Sequence, residues 1–160
     1  MNESATVSAD VPTGFRPIRI PGGFVGVNGP LHGRLQDGCL HLGFRVEERH
    51  LNAAMMCHGG MLMMVADLQL AVAAVVQSSV GPFLPTINLS VDFVAPAHAG
   101  DWVHGQTEVV KTTRSLTFAQ GSLMIDGSTI LRASGIFKNP NRPDWKLDIE
   151  SLFEAGEVGG

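Results

Sequence analysis

No run of lysine or arginine occurs in the sequence, and its formal net charge is -4. An extended surface for nucleic acid or an anionic membrane is therefore not expected. Residues Met1 to Pro12 are polar and acidic and lack the positively charged start and apolar run of a secretory signal. A cytoplasmic location is the expectation. Cysteine is scarce: Cys39 and Cys57 are the pair, and two cysteines without an export signal read as reduced, packed thiols rather than a disulfide. The six histidines are scattered, with no second ligand at metal spacing and no group of zinc type, so no metal is implied. A Gly-x-Ser-x-Gly elbow is missing too, which removes the serine nucleophile of an α/β-hydrolase. Charged residues make up 16% of the chain against 44% hydrophobic, a balance that leaves apolar surface to bury and favours self-association. A length of 160 residues fits one domain.

What is present falls into three parts. Residues 1–30 hold Pro12, Pro17, Pro21, Pro30 and several glycines and read as an irregular N-terminal arm. Residues 31–138 carry the regular elements, and residues 139–160 form a charged tail with a short amphipathic turn at Leu147 to Phe153. In the middle part, Leu31 to Glu48 is a hairpin about Asp37-Gly38, a dipeptide suited to the two positive-φ positions of a type I′ turn. Gly60 to Val76 is apolar on every side apart from Asp67 and Gln69 and rich in Ala, Leu and Met, which predicts a buried helix. A membrane span would need roughly 20 residues and would tolerate a central carboxylate poorly. After a turn at Gly81-Pro82, Thr86 to Ala95 alternates, with Ile87, Leu89, Val91 and Phe93 on one face and Asn88, Ser90 and Asp92 on the other. Two more strands, Asp101 to Thr112 and Ser115 to Ile125, lead through Asp126-Gly127 into a last one, Ser128 to Lys138. The order β-β-α-β-β-β-β is satisfied by an α+β fold in which an antiparallel sheet wraps one long central helix.

Asn52, His58, Gly59, Gly60 and Asp67 stand out from their apolar surroundings. Two glycines at a helix start leave backbone N–H groups uncovered at the positive end of the helix dipole. A developing oxyanion could sit there, with Gly59 N–H as the donor; the plainer reading is a tight strand-to-helix turn with His58 as a capping residue. A carboxylate flanked by Met63, Met64, Val65, Ala66, Leu68 and Leu70 is costly to bury unless paired or used. Nine helical residues separate His58 and Asp67 by about 13 Å along the axis and put them on opposite sides. The two cannot share a proton within a chain. If both serve one reaction, the Asp67 of one copy meets the His-Gly-Gly turn of another, and a dimer carries two sites. Cys57 beside His58 does not make a Cys-His nucleophile, because neighbours in an extended segment point to opposite faces.

Asn52-x5-His58-Gly59-Gly60-x6-Asp67, followed by a strand ending in Ala95-Pro96-Ala97, resembles the hot-dog-fold thioesterases of the phenylacetate-pathway (PaaI-like) and thioesterase-superfamily-member-2 type. The resemblance covers Phe24 to Lys138. It implies a homodimeric or homotetrameric acyl-CoA thioesterase in which Asp67 activates water or attacks the thioester. Gly59 N–H would polarise the carbonyl, and His58 and Asn52 would shape that pocket. Thr86 would stand where a relative has a serine that orients the water; threonine keeps the hydroxyl on a stiffer side chain. The resemblance further implies coenzyme A as part of the substrate and no separate cofactor. Lys111, Arg114 and Ser115 lie at a strand turn where similar proteins place groups near the nucleotide, and arginine can hold phosphate bidentately. Gly60, Met61, Met64 and Leu68 are candidates to line the acyl site, the last three sharing one helix face. Two rivals remain: a hot-dog hydratase or dehydratase acting on enoyl thioesters, and a module that binds acyl-CoA without turning it over.

Overall fold

The computed structural model describes residues 10–141 and 144–154. Most of the Met1 to Pro12 segment, and the end of the tail, lie outside the described residues. Seven strands form one antiparallel sheet in the order β1-β2-β3-β5-β6-β7-β4. They are β1 (Arg16–Pro17), β2 (His32–Gln36), β3 (Cys39–Arg45), β4 (Thr86–Phe93), β5 (Trp102–Thr112), β6 (Leu116–Ile125) and β7 (Ser128–Lys138). Both expected hairpin turns are present. Asp37 and Gly38 have φ of 52° and 73°, and Asp126 and Gly127 have 48° and 80°, the pair of positive values that a type I′ turn needs.

Two helices are added, α1 (Gly23–Asn28) and α2 (Gly59–Ser78). The arm is thus less irregular than its prolines suggested, because β1 pairs with β2 and α1 follows it. Arg49 donates to the carbonyls of Val27 and Gly29, and His50 holds the carbonyl of Asn28. The tail likewise docks: a 3-10 turn at Ile149–Leu152 sets Phe153 opposite Ile18 in an antiparallel bridge. Both side chains pack where Gly33 leaves room.

At 20 residues α2 exceeds the expected Gly60 to Val76, and among the described residues it is the one helix long and apolar enough to cross a bilayer. Length therefore does not decide its place; the sheet does. Leu70 and Ala74 are buried in one core with Leu40, Leu42 and Phe44 of β3, Val103 of β5, Leu123 of β6 and Leu131 and Phe137 of β7. Close approach is possible because the facing strands carry glycine there: a Cβ on Gly121 or Gly135 would stand 3.1 or 3.2 Å from Leu70. One long side of α2 stays open, and Gly60 and Met63 are exposed along it. Ser79, in the left-handed region at φ 51°, ends the helix.

Candidate active site

The site starts from the loop before α2. Asn52 Oδ1 accepts from the N–H groups of Ala54 (2.9 Å) and Met56 (3.2 Å), and its backbone exchanges bonds with Met55 and Met56. Asn52 therefore shapes the loop, and its Oδ1 is committed to that backbone. His58 N–H donates to the carbonyl of His50 (2.7 Å), and Cys57 N–H to that of Ala97 (2.8 Å). These bonds fix the turn from both sides. His50 is buried between Glu47 N–H on Nδ1 and the Asn28 carbonyl on Nε2. No sequence pattern singled it out, because both partners are backbone atoms, Glu47 N–H within the same turn and the Asn28 carbonyl in a segment that only the fold brings near.

His58 is the N-cap of α2, and its Nδ1 accepts from Gly60 N–H at 2.9 Å. The ring is thus a capping group and Gly60 N–H is already taken. Gly59 N–H is different. It belongs to the first turn, where N–H groups have no intrahelical acceptor, and no other acceptor claims it among the described residues. The ring of Phe93 at the end of β4 lies over Gly59, 3.2 Å from where a Cβ would be. A side chain at 59 would therefore crowd the spot where a carbonyl oxygen could meet this donor.

Asp67 lies on the open side of α2, half-buried, and Thr86 Oγ1 donates to its Oδ1 at 2.7 Å. Strict alternation would have turned Thr86 outward with Asn88, Ser90 and Asp92. A bulge intervenes: Thr86 pairs with Phe137, Asn88 with Ile136, and Ile87 is the extra residue. It re-aims Thr86 toward the helix, a use of bulges common beside functional sites. Thr86 is where the resemblance put a water-orienting hydroxyl, and the bulge is what the sequence did not announce.

The acyl-site candidates separate. Met61 is 7% exposed and belongs to the core, while Met64 and Leu68 are half-buried against it. Met63, four residues before Asp67 on the same helix face, is the exposed methionine of α2. Lys111, Arg114 and Ser115 are all exposed. Arg114 and Ser115 line a cavity of about 540 Å³ together with Phe83, Pro85, Lys138 and Asn139; Lys111 lies outside it. Lys138 was missed, although counting back from the Asp126-Gly127 turn brings it opposite Ser115; a one-residue shift between Leu123 and Met124 sets it opposite Leu116 instead. The cavity adjoins the Thr86–Asp67 pair, since Lys138 N–H donates to the Pro85 carbonyl and Thr86 follows Pro85.

A larger hollow, about 770 Å³, lies on the outer face of the sheet. Neither Asp67 nor Gly59 lines it, and its polar side chains bond one another: Arg132 to Asp92, Gln120 to Glu108, Gln106 to Ser122. Burial pushes the Cys57 thiol up to about 11, so this cysteine is a packing residue and no thiolate nucleophile. Among the described residues no three His, Cys, Asp or Glu side chains form a group able to hold a metal ion.

An antiparallel sheet curled round one long helix, with the helix start, a helix carboxylate and the next strand facing a common side, defines a hot-dog fold. The Thioesterase Superfamily Member 2 of zebra fish shares it, with a TM-score of 0.68 at 22% identity over 75% of this chain and 88% of that one. So does the phenylacetic acid degradation protein PaaI of Thermus thermophilus, with a TM-score of 0.63 at 23% identity over 73% of this chain and 98% of that one. In sequence, the chain is 32% identical over 133 residues to the "putative esterase" of Pseudomonas aeruginosa, covering 82% of this chain and 98% of that protein. The thioesterase superfamily itself matches residues 55–130, which span the turn, α2 and β4 to β6. The chain belongs to the thioesterase superfamily, and its activity is of the thioester-hydrolase kind.

Proposed function

We propose that the protein is an acyl-CoA thioesterase that works as a dimer or higher oligomer in the cytoplasm, releasing a carboxylic acid and free coenzyme A. The observation that carries this reading is the Thr86–Asp67 hydrogen bond on the open side of α2. It fixes Oδ1 and leaves Oδ2 of Asp67 to take a proton from water, as a positioned general base does. That water attacks the thioester carbonyl. The negative charge arising on the carbonyl oxygen is met by Gly59 N–H, whose donor and helix dipole are in place beforehand. As the C–S bond breaks, the proton held on Asp67 passes to the departing sulfur, so acid and thiol leave and the carboxylate is restored.

Within a chain Gly59 and Asp67 are eight helical residues apart, about 12 Å along the axis, so the donor comes from a second copy. The edge strand β4 supports that assembly. Among the described residues its outer edge has no neighbour in the sheet, and Ile87, Phe93 and Val94 on or beside it are 57%, 53% and 58% exposed. An unpaired, apolar edge is a template for a further strand. Arg114 and Lys138, in the cavity beside Pro85, supply cations for the phosphates of the carrier, and Phe83 supplies an aromatic face.

A free-thiol assay across acyl-CoA chain lengths and an aryl-CoA, run with Asp67→Ala, tests the reading. Thiol release by the parent and its loss in the variant are expected. Formation or consumption of an enoyl thioester would assign a hydratase instead, and tight binding with no thiol release would assign a binding module.

A further inference from the structure

Gln69, two residues after Asp67, is the one polar side chain of α2 that is wholly enclosed, at 1% exposure. It faces a gap in the sheet. The β3–β5 ladder runs from Arg45↔Trp102 through Phe44↔Val103 to Gly43↔His104 and stops. On the β3 side of the gap, Leu42 N–H and Leu40 C=O have no β5 partner, and buried backbone groups left so are costly. The Gln69 carboxamide takes both: Oε1 accepts from Leu42 N–H at 2.7 Å, and Nε2 donates to Leu40 C=O at 2.8 Å. It also engages Thr107 Oγ1 at 2.9 Å, and the Thr107 hydroxyl donates back to the Gln69 carbonyl at 3.3 Å. Room for this comes from Gly105, where a Cβ would fall 2.5 Å from Gln69 Cγ.

Two helical residues turn through about 200°, so Gln69 and Asp67 point to opposite sides of α2. From Met61 to Val76 the other residues of the helix are Ala, Leu, Met and Val on all sides. Such a surface discriminates weakly between one azimuth and the next, because apolar residues of similar volume exchange at small cost. A carboxamide that must meet one N–H and one C=O of a single strand discriminates strongly. We propose that Gln69 is a positioning residue for the hydrolysis: it locks α2 in rotation and height against β3, and so holds Asp67 beneath Thr86. This rests on the role given to Asp67 above.

Two variants test it. Gln69→Leu is expected to lower kcat roughly 10- to 100-fold, the scale of an ångström of misplacement, with KM nearly unchanged. Gln69→Glu can still accept from Leu42 N–H, but only its protonated form donates to Leu40 C=O, and burial raises its pKa above that of an ordinary glutamate. Its kcat relative to the parent should therefore recover as pH is lowered from about 8 to about 5. A Gln69→Leu protein with parental kcat overturns the proposal, as does a Gln69→Glu whose relative kcat is flat with pH, the variant that decides if Gln69→Leu does not fold. Should the parent release no thiol, the reaction assignment fails and crystal structures of parent and Gln69→Glu near pH 8 decide. Loss of the 2.7 Å Asp67–Thr86 contact in the variant upholds the positioning role, and its retention overturns it.

Discussion

The two sides of α2 follow opposite rules. Toward β3 and β5, Gln69 is enclosed and its amide is fully partnered by backbone and Thr107. Toward β4, Asp67 is half-exposed, holds one hydrogen bond through Oδ1, and stands beside the exposed Met63 and an unpaired strand edge. The first side spends its polar group on order and leaves no room for a ligand. The second leaves a carboxylate oxygen uncommitted, which is what proton transfer needs. One helix thus carries a structural amide and a reactive acid two residues apart, told apart by what surrounds them.

The sharpest way to break the comparison is to neutralise the reactive side alone. Asp67→Asn keeps an oxygen for the Thr86 hydroxyl, so the fold should hold while kcat falls on the order of 10²- to 10⁴-fold, the range for loss of a general base. Circular dichroism and thiol release, measured together, check both halves. Removing the Thr86 hydroxyl is a smaller step. Thr86→Val should lower kcat by about tenfold, the worth of a hydrogen bond to a charged group, while Thr86→Ser should retain most of the rate. Equal rates for Val and Ser would remove the hydroxyl from the account.

The smallest effect belongs to neither side. Burial lowers the pKa of His32, His41, His50 and His104 below the ordinary 6.5. Because the folded state holds them neutral, the stability they contribute is whole above pH 6.5, where the unfolded chain is neutral too, and is lost as pH falls through their folded values. The melting temperature should therefore be lower near pH 5 than near pH 7.5, by about a few degrees. A constant melting temperature over that span would contradict it.

Much of this was legible from local pattern. Apolar composition marked α2, the two Asp-Gly dipeptides marked their hairpins, and the run of His58, Gly59 and Gly60 marked the capped start of the helix. What stayed hidden depends on partners distant in sequence. The bulge at Ile87 reverses the face of Thr86 against a perfect period-two pattern. Gln69 looked like an interruption in an apolar run, since the gap between β3 and β5 that it fills exists only after the sheet is assembled. Met61, read as a lining residue, is buried while Met63 is exposed, because an all-apolar helix does not reveal which side faces the sheet. Lys138 joins Arg114 through strand register.

The central claim is that a working site joins Asp67 and Thr86 of one copy to Gly59 of another. Mixing two inactive proteins tests it most directly: Asp67→Asn, which lacks the base, and Gly59→Val, whose side chain would crowd Phe93 and block the donor. If subunits exchange at random, half of the dimers are mixed and each holds one intact site, so about a quarter of parental thiol release should return. A mixture as inactive as its components, with subunit exchange verified, would contradict the account, and so would a parental protein that is fully active as a monomer.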